Sequence, residues 1–99
     1  MGTLSINTAL EMAGAELELR GYTRDEGGAD GIVETWAKEF DNGYVGYIDV
    51  YANEDDVWFE ISATHGMDIA FCDDEQYPNA NVADLYLEDG VSKLINAED

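Results

Sequence analysis

IVETWAKEFDNGYVGYIDV, residues 32–50, fits two secondary structures, and the choice between them sets the architecture. Ile32, Val33, Trp36, Ala37 and Phe40 form a helical stripe that Asp30 can cap. Against this, Phe40-Asp41-Asn42-Gly43-Tyr44 is a strong hairpin turn between β-branched and aromatic flanks, and the segment after it is plainly extended. A hairpin needs a strand on both sides of its turn, so IVETWAKEF, residues 32–40, is read as a strand.

Outward from that hairpin the chain continues as a meander. Segments 44–52 and 57–64 alternate apolar and polar positions and join at Asn53-Glu54-Asp55-Asp56; a turn at His65-Gly66 leads into a further strand over 67–72. DEGGADG, residues 25–31, offers nothing to a core and is expected to be an exposed connection. Before it, Leu17 and Leu19 alternate with Glu16, Glu18 and Arg20, which predicts a strand. A short helix over 5–14 precedes it, capped by Ser5 or Asn7 and stopped by Gly14. DDEQYPNAN is a loop around Pro78 whose Asn79 or Asn81 caps a last helix carrying Val82, Leu85, Tyr86, Val91, Leu94 and Ile95. Asp89-Gly90 is a candidate break in that helix, and ADLYLEDG also fits a strand. The expected fold is α+β, one domain over residues 1–99: an antiparallel β-meander of four to five strands with a short N-terminal and a C-terminal helix.

Charge is the outlying property. Twenty-three acidic residues against four basic ones leave a net charge of −19, while 45% apolar residues and a single proline give enough apolar surface to fold. Two carboxylates ~7 Å apart in water repel by about 0.6 kcal/mol, and many such pairs together rival a folding stability of ~5–15 kcal/mol. A basic partner surface, a bound cation or a salty solvent has to offset that repulsion. Direct binding to nucleic acid or to an anionic membrane is disfavoured by sign. One cysteine excludes an internal disulfide, and no apolar run or basic leader suggests a membrane span or signal peptide. MGTLSI fits a loose myristoylation pattern and equally a helix start. A cytoplasmic protein is expected.

Function is sought where charge meets aromatic surface. Val57, Phe59, Ile61 and Ala63 share one strand face, which turns Trp58 and Glu60 outward; if Ile48 and Val50 face the core, Tyr47, Asp49 and Tyr51 join them. That face is expected to bind a partner unless a helix covers its rings, because Tyr and Trp supply large contact area with few rotors to freeze. Carboxylates two residues apart on a strand stand ~7 Å apart, near the phosphate interval of DNA. Glu16 with Glu18, then Asp49, Asp56 and Glu60, and the run Asp73-Asp74-Glu75 can present such an array. The candidate partner-binding residues are Tyr47, Asp49, Tyr51, Asp55, Asp56, Trp58, Glu60, Asp73, Asp74 and Glu75.

Catalytic and cofactor signatures are missing. His65 and Cys72 are a conceivable pair, but nothing orients the imidazole and the surrounding carboxylates oppose a thiolate. The acidic loops lack EF-hand order, DEGGADG lacks the Lys and Ser/Thr of a phosphate loop, and no metal or cofactor is expected. In its small size, acidity and aromatic-acidic strands the chain resembles the small acidic inhibitors of phages and mobile elements, among them DNA mimics and anti-CRISPR proteins. That resemblance implies a non-enzymatic inhibitor that occupies the basic site of a nucleic-acid-binding protein or nuclease complex. The alternative is a halophile's cytoplasmic domain, in which the acidic surface is an adaptation to brine.

Overall fold

The ambiguity at residues 32–50 is resolved at the turn. In the computed structural model, which describes residues 6–25, 32–54 and 56–98, Asp41–Gly43 form a short 3-10 turn and the Phe40 N–H donates to the Tyr44 carbonyl at 2.7 Å. Asn42 and Gly43 take left-handed backbone angles, φ 62° and 83°, which Asn tolerates and Gly adopts without a steric cost. The chain reverses there. Residues Ile32–Glu39 are a strand, and the helical stripe is not used.

The elements are α1 (Ile6–Leu19), β1 (Thr23–Asp25), β2 (Ile32–Glu39), β3 (Tyr44–Ala52), β4 (Val57–His65), β5 (Asp68–Tyr77) and α2 (Ala80–Glu98). The strands form one five-stranded sheet in sequence order, each antiparallel to its neighbour. This is the α+β meander with a helix at each end. The β3–β4 connection is closed by the Asn53 N–H on the Asp56 carbonyl at 2.9 Å and by the Asp56 N–H on Asn53 Oδ1 at 2.8 Å. At β5 the register shifts between Phe59 and Ile61 and again between Ala63 and Thr64 of its neighbour, so the last strand is bulged twice.

The expected strand over Leu17 and Leu19 is absent, and α1 runs through Gly14 to Leu19. Ala13 and Leu17 are buried four residues apart while Leu19 is 84% exposed, which is helical periodicity. A side chain at Gly14 would meet Trp36, whose Cζ2 lies 3.1 Å from where a Cβ would stand, so this glycine serves packing and does not stop the helix. The helix ends at Gly21, φ 93°, where the Tyr22 N–H reaches the Leu17 carbonyl at 3.0 Å and the Gly21 N–H the Glu18 carbonyl at 3.1 Å. These are the two bonds of a Schellman cap, and buried Leu17 and Tyr22 supply its usual apolar contact. Ser5, the side chain of Asn7, and residues 26–31 lie outside the described residues.

Asn79 caps α2, its Oδ1 accepting from the Val82 N–H at 2.9 Å. The helix passes Asp89-Gly90 unbroken, so ADLYLEDG is helical; Gly90 makes room for the Phe71 ring, which lies 3.0 Å from where a Cβ would stand. α2 packs on β3, β4, β5 and α1, and α1 on β4, around Leu17, Ile48, Val50, Phe59, Ile61, Leu87 and Val91. Both helices therefore cover one face of the sheet, and no described element lies over the other. No helix among the described residues is long and apolar enough to cross a membrane.

Candidate partner-binding face

Alternation along the strands assigns the open face. Tyr44, Gly46, Ile48 and Val50 are buried beneath the helices, and Val45, Tyr47, Asp49 and Tyr51 are half-buried on the opposite side. On β4 the same rule buries Phe59, Ile61 and Ala63 and turns Trp58, Glu60, Ser62 and Thr64 outward. Register then aligns the outward residues in rows: Tyr51 opposite Trp58, Asp49 opposite Glu60, Tyr47 opposite Ser62. Thr35 and Ala37 of β2 continue these rows on one side and Cys72 of β5 on the other. The sequence reading did not single out Thr35, and it weighed Cys72 only as a partner for His65.

The rings and carboxylates interact as neighbours. Tyr51 and Trp58 stack with centroids 5.6 Å apart and planes 7° from parallel. Thr35 Oγ1 donates to Asp49 Oδ1 at 3.0 Å, which fixes that carboxylate. Desolvation lifts the Asp49 pKa above its ordinary value, and the Thr35 bond pulls the other way without cancelling it. The Tyr51 phenol is pushed up first by desolvation and then by the charges of Glu60, Asp49 and Cys72. Trp58 Nε1 is shielded and has no hydrogen-bond partner among the described residues, an omission that costs roughly 1–3 kcal/mol.

Among the described residues no Lys or Arg side chain answers the charge on this face. Each of the chain's four basic side chains already has a carboxylate within 4.0 Å: Arg20 on Glu16 and Asp84, Arg24 on Glu34, Lys38 on Glu88, Lys93 on Asp89. Arg24 pairs in register with Trp36 and Lys38 with Gly46, so both lie on the helix side of the sheet. Arg20 and Lys93 belong to the helical layer. Among the described residues the open face bears carboxylates and no Lys or Arg.

Not every predicted site residue joins it. Asp56 is exposed in the β3–β4 turn at one end of the face. Asp73 pairs with Ile61 and so faces the helices, accepting from the Tyr77 hydroxyl at 2.6 Å and the Glu75 N–H at 2.9 Å. Glu75 is exposed in the bulged part of β5, beside a groove formed with Pro78, Val82 and Tyr86. Asp55 and the side chain of Asp74 lie outside the described residues. Glu16 and Glu18 sit on α1 and contribute nothing to an array on a strand, which corrects their assignment.

A second polar cluster escaped the sequence. Asp84 of α2 is 2% exposed and accepts from Arg20 Nη1 and from the Tyr22 hydroxyl, both at 2.8 Å. Arg20 also donates to Asn81 Oδ1 and to Glu16. Burial and the Asp84 charge push the Tyr22 pKa far upward, so the phenol stays a donor. The cluster joins the helices.

His65 and Cys72 are not brought together. His65 stacks on Tyr44 with centroids 4.4 Å apart, on the helix side, while Cys72 is exposed and pairs with Ser62 on the open face. Among the described residues no group of three or more His, Cys, Asp or Glu is placed to hold a metal ion. No family model, curated protein or solved structure matches the chain.

Proposed function

We propose that the protein is a non-enzymatic interaction module that docks its open sheet face on a cationic protein surface and blocks a basic, nucleic-acid-handling site. One observation carries this reading: a helix-free face that combines the Tyr51–Trp58 stack with Asp49 and Glu60 and has no described Lys or Arg. A second copy of this chain is a poor occupant, since two molecules each of charge −19 repel and would bring like rows together. A basic surface gains from the same field, through faster encounter and stronger docking at low salt.

The spread of carboxylates over α1, β2, the turns and α2 supports the second reading, an acidic coat suited to brine. Competition for a partner separates the two. Immobilised protein is challenged with lysate at low salt, eluted with rising salt, and each recovered protein is assayed for DNA or RNA binding. The inhibitor reading expects a basic protein whose nucleic-acid binding is blocked by the wild type and restored when Asp49→Lys and Glu60→Lys are combined. Capture that is indifferent to those substitutions removes the open face from the account.

A further inference from the structure

We infer that Tyr51, Trp58, Asp49 and Glu60 form a seat for a guanidinium group, so that the cationic partner is held through arginine in preference to lysine. The inference deepens the proposed function and rests on it. Its basis is the order of the rows. The parallel rings occupy one cross-strand pair, and the two carboxylates occupy the next pair, one step of ~7 Å along the strands. A guanidinium stacked on a ring holds its N–H groups parallel to the ring plane, pointing edgewise. The acceptors must then stand beside the rings and not above them. Register places them there.

Three further features favour arginine. Asp49 Oδ1 is held by Thr35, which orients the carboxylate and leaves Oδ2 with no described partner. Asp49 and Glu60 are directly opposed like charges, and one planar cation with several donors relieves both. The rings are half-buried, so the seat is partly dry, and a guanidinium leaves water more readily than an ammonium. Lysine, a compact and strongly hydrated charge, satisfies the carboxylates and wastes the ring faces.

The test uses two peptides of identical spacing, (Gly-Arg)n and (Gly-Lys)n, titrated into the intact protein at low salt by calorimetry. The arginine peptide is expected to bind about tenfold tighter, the size of one cation–π contact. Tyr51→Leu with Trp58→Leu should bring that ratio close to one. Glu11→Gln with Glu18→Gln, on the exposed side of α1, should leave it unchanged. The nearly isosteric Asp49→Asn with Glu60→Gln should weaken both peptides, and circular dichroism confirms that each variant folds. Equal affinity for the two peptides in the wild type, or a preference that survives loss of the rings, overturns the guanidinium seat. If equal binding is still abolished by Asp49→Asn with Glu60→Gln, the docking face stands without it; if neither peptide binds, both readings fall.

Discussion

Asp49 and Glu60 oppose each other directly across the β3–β4 pair, an arrangement that destabilises an antiparallel sheet. Asp49→Asn keeps the size of the side chain and an oxygen for Thr35 while deleting one charge. It is expected to stabilise the protein by about 0.5 kcal/mol at neutral pH, the scale of one cross-strand pair, as a higher urea midpoint. The pH dependence has a definite sign. Because the folded pKa of Asp49 lies above its ordinary value, the native state takes up this proton before the unfolded chain does. The stabilising effect of that protonation is complete below the ordinary aspartate pKa and is lost as pH rises through the raised folded value. Urea midpoints measured from acid to neutral pH should show this fall in the wild type and a flatter profile over the same window in Asp49→Asn. An identical profile in both would remove Asp49 as its source.

At the scale of elements, the Arg20–Asp84–Tyr22 cluster fastens the end of α1 to α2. Asp84→Ala strands the Tyr22 hydroxyl and takes the better-buried partner from Arg20. A loss of roughly 3 kcal/mol is expected, the lower end for a broken buried pair because Arg20 keeps Glu16 and water. Tyr22→Phe removes one neutral donor to the same carboxylate and should cost about 1–2 kcal/mol, both measured by urea unfolding. The sequence announced neither, since Asp84 looks like any of the other acidic residues until its place in the fold is known. The hairpins were legible because Asn42-Gly43 and Gly66 need left-handed angles that the residue types themselves declare. Helix ends were not. Gly14, Gly21 and Gly90 are equal candidates on paper, yet only Gly21 is a cap, and the other two make room for Trp36 and Phe71, contacts from distant parts of the chain. The open face was legible as far as strict alternation held, through Tyr47, Asp49, Tyr51, Trp58 and Glu60. It failed at Asp73, which the sequence placed in the loop around Pro78: β5 runs on to Tyr77, and its register pairs Asp73 with Ile61 and turns this carboxylate toward the helices.

At the scale of the whole molecule, the net charge of −19 opposes folding through many weak repulsions that no single contact repays. Raising salt from about 0.01 to about 1 M shortens the screening length from roughly 30 to roughly 3 Å. The thermal midpoint should then rise by roughly 5–10 °C, equivalent to relieving one to two kcal/mol in a domain of this size. The docking account expects cooperative unfolding even at the low-salt limit, followed by far-UV circular dichroism. A chain without structure there would favour the brine account. The sheet's two borders bear on behaviour in crowded solution. One is a strand of only three residues, Thr23–Asp25, and the other is twice interrupted and carries Asp68, Asp73 and Glu75. Neither described border presents the long, flat, neutral ladder on which a neighbouring chain can template a growing fibril.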